Sequence, residues 1–95
     1  MSSNTETHAE AKVVLKNRYG LHARPATLIA QTAKPFACKV ELIKGEQGVD
    51  AKSIFSILTL AAECGSELIV RCEGEGASEA VAKLAEVIES FDVDD

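Results

Sequence analysis

Tryptophan is absent from this chain of 95 residues, and its only rings besides histidine are Tyr19, Phe36, Phe55 and Phe91. So few aromatics leave little on which single-stranded nucleic acid could stack. Cysteine is sparse as well. Cys38, Cys64 and Cys72 form an odd set with no CxxC pair, which argues against a disulfide framework or a zinc site. Each lies in or beside an apolar stretch, so all three read as small core residues with free thiols. No metal or cofactor is expected. Apolar runs long enough to span a bilayer are missing. The first ten residues (MSSNTETHAE) lack the basic-then-apolar pattern of a signal peptide. A cytoplasmic protein without direct membrane insertion is the expectation. Repeats and low-complexity segments are also wanting.

What is present fits one domain with a single core. The net charge is −5, which disfavours nucleic acid as a partner, but its distribution is uneven. Residues 11–40 carry Lys12, Lys16, Arg18, Arg24, Lys34 and Lys39 and no acid, so that segment is +6 and the rest sums to −11. A basic segment in an acidic protein points to a local anion site, an acidic partner surface, or both.

Periodicity divides the chain into seven elements. Residues 1–10 read as a disordered tail that includes His8. A strand follows at 11–16, with Val13 and Leu15 on one face. Residues 17–20 have turn chemistry. A helix is predicted from Ala23 to Lys34, with Pro25 tolerated in its first turn and Pro35 ending it. Its buried face is Ala26, Ile29, Ala30 and Ala33. A strand at 38–44 points Cys38, Val40 and Leu42 inward, and a turn leads to a short pairing at 49–50. Ser53 as N-cap, with Ile54, Ile57 and Leu58 at helical spacing, favours a short helix. Another strand covers 66–72. Ala77, Val81, Leu84, Ile88 and Phe91 then mark an amphipathic helix, and an acidic tail covers 92–95. The order predicts an α+β domain over 11–91, an antiparallel sheet with helices on one face.

The heptapeptide GLHARPA at 20–26 holds the chemistry. His22 falls at or just before a helix N-cap. Ala23 and Arg24 then present backbone N–H groups with no acceptor inside the helix. Those donors and the positive helix end form an anion site beside the imidazole. The Arg24 guanidinium suits phosphate oxygens. The setting disfavours the imidazolium and favours a neutral nucleophile. Histidine is not a favoured N-cap, so a purely structural role explains it poorly.

Gly20, Leu21, His22, Arg24, Pro25 and Ala26 resemble the active-site signature of the HPr family, histidine-containing phosphocarriers of the bacterial phosphoenolpyruvate-dependent sugar phosphotransferase system. The resemblance runs from about residue 11 to 91. It implies an open-faced β-sandwich, four antiparallel strands with three helices packed on one side (βαββαβα). It also implies that His22 accepts phosphate through Nδ1 from Enzyme I and donates it to Enzyme IIA domains, with Arg24 stabilising the anion. Such a protein is a carrier rather than a stand-alone enzyme. The segment AKSIFSILTL at 51–60 resembles the stretch bearing the family's regulatory serine, which maps to Ser53. That implies a possible HPr kinase/phosphorylase partner, and phosphate there adds roughly −1.5 to −2 charge. Of the apolar residues beside it, two belong inside and a third would be an exposed docking knob; Phe55, with Ile54, is the candidate partner surface. A monomer is expected for a carrier that meets successive partners. Within the family, a nitrogen-branch (NPr-like) regulatory phosphocarrier shares the motif. A non-catalytic regulatory binder on the same scaffold would have no need to keep His22 and Arg24.

Overall fold

The computed structural model describes residues 8–92. Seven elements run in the order β1 (His8–Val14), α1 (Ala23–Ala33), β2 (Lys39–Lys44), β3 (Gln47–Asp50), α2 (Ile54–Leu58), β4 (Glu67–Glu73) and α3 (Ala77–Glu89). The strands form one sheet in the order β1-β4-β2-β3. Every neighbouring pair is antiparallel. The three helices lie on one face of this sheet, the open-faced arrangement expected.

Alternation along each strand decides which face is covered. Val13 pairs with Leu68, and Val70 sits between Ala11 and Leu42. Cys72 sits between Ala9 and Val40 in the same way. These rows point at the helices, and Val13, Val40, Leu42, Leu68, Val70 and Cys72 are buried. Against them pack Ala26, Ile29, Ala30 and Ala33 of α1, and Ala77, Ala80, Val81, Leu84 and Ile88 of α3. The alanines of α3 let that helix approach β1 and β4 closely, and α1 packs beside α3 and α2 over the same core. The larger side chains each stabilise the fold by about 1.5–3 kcal/mol through burial. Ile57 and Leu60 close the same core beside α2.

The uncovered face carries charge. Arg71 stands between Glu10 and Glu41 in register. Its Nε donates to Glu10 Oε2 at 2.9 Å, and the pairing raises the already high Arg71 pKa. On the buried face, burial and the adjacent Cys38 thiol push the Cys72 thiol up to about 12. Among the described residues, no helix is long and apolar enough to cross a membrane.

Two expectations need correction. The tail placed at 1–10 gives way to β1 at His8, because Ala9, Ala11 and Val13 alternate inward against β4 while His8 and Glu10 face outward. Residues 1–7 and 93–95 of the expected tails lie outside the described residues. Regular pairing of β1 ends at Val14, although Leu15 still bonds its N–H to Ser66 O (2.9 Å) and its carbonyl to Gly65 N (2.7 Å). The second correction concerns the cysteines. Cys38 and Cys72 are buried, but Cys64 is exposed in the turn before β4, its Sγ 3.5 Å from Lys16 O. A neighbouring apolar run does not bury a residue that sits on a turn.

Candidate functional site

The turn at residues 17–20 sets the position of everything that follows. Asn17 is fully buried and donates from Nδ2 to Gly20 O at 2.6 Å, while Gly20 N donates back to Asn17 O at 3.2 Å. Gly20 has φ +66°, and a Cβ built there would lie 2.2 Å from the Ala62 carbonyl oxygen. Only glycine fits so close to the neighbouring loop. Leu21 N then donates to that same Ala62 oxygen at 3.0 Å, and the Leu21 side chain is buried. The loop between α2 and β4 thus holds the start of α1.

His22 is the N-cap of α1, in extended conformation (φ −82°, ψ −172°), and its side chain makes no capping bond. Its N–H donates to Gly20 O, and its carbonyl accepts from Ala26 N, both at 3.0 Å. Ala23 and Arg24 therefore open the helix, and Pro25 follows where no N–H is needed. The backbone N–H groups of Ala23 and Arg24 have no acceptor among the described residues. Arg24 is exposed, and its guanidinium has no partner among them either.

The imidazole is half-buried and oriented. Nε2 is buried without a hydrogen-bond partner among the described residues, which leaves Nδ1 as the nitrogen open to a reactant. Tyr19, in the turn that precedes it, stands edge-on to it, ring centroids 6.0 Å apart and planes at 85°. The Arg18 guanidinium carbon lies 5.8 Å from the centre of the Tyr19 ring. An aromatic among turn residues just before a histidine was the available signal.

His22, Ala23 and Arg24 thus stand in succession at the head of α1. Ser53 stands apart as N-cap of α2, its Oγ accepting from Ser56 N at 3.2 Å. On α2, Ile57 is fully buried, Ile54 is half-buried and Phe55 is 82% exposed. The neighbouring α1 adds a second exposed apolar side chain, Leu28. No group of three His, Cys, Asp or Glu among the described residues could hold a metal. Two open clefts, one by Lys39, Val49 and Lys52 and one by Thr32, Phe36 and Lys83, both leave His22 outside. The arrangement offers a nucleophile and anion donors on a surface rather than a chamber for a small substrate.

Known proteins resemble this chain over most of its length. Residues 9–90 match the family described as PTS HPr component phosphorylation site. The phosphocarrier protein HPr of Treponema pallidum is 40% identical over 74 residues, 78% of this chain and 84% of that protein. The HPr-like protein Crh of Bacillus subtilis is 39% identical over 80 residues, covering 84% and 94%. The crystal structure of HPr from Thermoanaerobacter tengcongensis superposes with a TM-score of 0.82 at 39% identity, covering 86% of this chain and 92% of that one.

Proposed function

This chain belongs to the PTS HPr family of phosphocarriers, and from that premise we propose that it receives a phosphoryl group on Nδ1 of His22 from phospho-Enzyme I and delivers it to Enzyme IIA domains. The observation that carries the reading is the pairing of an open Nδ1 with the unengaged N–H groups of Ala23 and Arg24 at the head of α1. The Nδ1 lone pair of the imidazole attacks phosphorus. A P–N bond forms as the bond to the donor breaks, and the donor atom keeps that electron pair. Transfer to the next partner reverses the roles.

The backbone donors and the Arg24 guanidinium then meet the phosphoryl oxygens without rearrangement. The dipole contributes about 0.3–1 kcal/mol in solvent, enough to favour arrival without trapping the group. Phe55, Ile54 and the exposed Leu28 of adjacent α1 supply an apolar docking surface for acidic partners drawn by the basic segment. The protein acts as a monomer in the cytoplasm. Ser53 is the regulatory position for a serine kinase of the HPr kinase/phosphorylase type, since phosphate there sets a double negative charge beside Phe55. Substituting Ser53→Asp therefore slows transfer from Enzyme I; an unchanged rate removes Ser53 from the scheme.

Incubation with phosphoenolpyruvate and Enzyme I is expected to place one acid-labile phosphate on the chain and none on a folded His22→Ala variant. Label surviving in that variant refutes the assignment. Running the assay with sugar-type and nitrogen-type Enzyme I separates the two branches.

A further inference from the structure

Tyr19 is one of only four Phe, Tyr or Trp residues in the chain, and it sits 63% exposed on a tight turn. Burial does not account for it there. Its ring meets the His22 imidazole edge-on, and Arg18 lies against it on the cation–π distance scale. The imidazole meanwhile has no hydrogen bond to set its rotation: it makes no capping bond, and Nε2 is unpartnered among the described residues. Rotation about χ2 of histidine is soft and roughly two-fold, and a flip exchanges the positions of the two ring sides. The flip exchanges Nδ1 with Cδ2 and Nε2 with Cε1, so it takes Nδ1 away from the place it holds beside the N–H groups at the head of α1.

We propose that Tyr19 is a positioning residue for phosphoryl transfer: its ring, steadied by the Arg18 guanidinium, holds the His22 imidazole with Nε2 inward and Nδ1 outward. The edge-on contact supplies the orientation that a hydrogen bond supplies elsewhere. The phenol oxygen plays no part, so phenylalanine suffices at this position. The inference rests on the reading of His22 as phosphoryl acceptor.

The test compares Tyr19→Leu and Tyr19→Phe with the parent protein, each checked for an unchanged urea midpoint. Two measurements are made. The rate of phosphoryl transfer from Enzyme I is resolved into kcat and KM for this chain as substrate. The ring nitrogens of His22 are followed by 15N NMR in the unphosphorylated protein. Tyr19→Leu is expected to lower kcat by about 2- to 10-fold, the range that an aromatic pair contact supports. KM should stay constant. The ring-nitrogen signals of His22 should shift as the ring loses its fixed orientation. Tyr19→Phe should match the parent in both. A wild-type kcat in Tyr19→Leu, an unmoved ring signature, a defect in Tyr19→Phe as large as in Tyr19→Leu, or an effect confined to KM each overturns the proposal. Because the NMR arm uses unphosphorylated protein, it stands even where label surviving in His22→Ala refutes the acceptor reading itself.

Discussion

Replacing Gly20 by alanine tests whether the turn ahead of His22 is sterically locked. The added methyl would sit 2.2 Å from the Ala62 carbonyl oxygen and 3.0 Å from Glu63 Cα, where ordinary contact begins at 3.4 Å. Two backbone segments must therefore separate by about 1 Å, well inside the range where packing is unforgiving. That movement breaks the Leu21 N–H bond to the same oxygen, now 3.0 Å. Three contributions add. A Cβ in the left-handed region costs about 1–2 kcal/mol. The lost hydrogen bond costs about 0.5–1.5 kcal/mol net, and overpacking a further 1–3 kcal/mol. The expected loss is about 2.5–6.5 kcal/mol, a large share of a small domain's stability. Gly45→Ala is the control: φ is +60° but no atom lies within 4 Å of its Cβ, so only the first contribution, about 1–2 kcal/mol, applies. Urea denaturation measures both. Equal losses at the two glycines, within about 0.5 kcal/mol, would refute the claim that contact with residue 62 holds the site.

Other outcomes follow from the same geometry. Ile57→Ala should cost about 2–5 kcal/mol because the side chain is fully buried. Phe55→Ala, at 82% exposure, should stay within about 0.5 kcal/mol while raising KM toward Enzyme I. Thermal melts and transfer kinetics on the two variants read this contrast. Arg24→Ala should slow transfer with the phosphorylation site and the melting curve unchanged; an unaltered rate would show that the helix N-terminus suffices. The Cys72 thiol stays protonated in the folded state to about 12, whereas an unfolded thiol ionises near 8.5. Above that lower value the unfolded chain binds fewer protons, so stability falls as pH rises, by up to about 1.4 kcal/mol per unit. Below it the contribution is complete. Denaturation curves at several alkaline pH values should show this slope reduced in Cys72→Ala relative to the parent.

Much of this was legible because local pattern and tertiary burial agree. The i, i+4, i+7 spacing of Ala77, Val81 and Leu84 defines α3, and Ala26, Ile29, Ala30 and Ala33 define the inner face of α1. Ser53 reads as an N-cap and is one. What escaped depends on partners distant in the chain. His8 and Glu10 look like tail residues until β4 supplies Glu73 and Arg71 opposite them. Cys64 sits next to an apolar run, yet its turn faces water. At the candidate site, His22, Ala23 and Arg24 were visible as a motif. The grip of Ala62 on Gly20 and Leu21 was not, because no local rule links positions so far apart. Tyr19 was hidden for a different reason: an aromatic beside a turn has no periodicity to betray its contact.

The bond from Leu21 to Ala62 also orders events during synthesis. The backbone that helps to orient the histidine is translated some forty residues after it, as positions 21 and 62 show. β1 and β2 likewise have no mutual partner until β4 emerges between them. A nascent chain stopped before residue 62 carries the whole heptapeptide and the Asn17 turn but lacks the Ala62 contact and β4, so it should expose apolar strands. Competence to carry phosphate is in this sense a property of the whole domain, and arrives once the α2–β4 loop and β4 have been made.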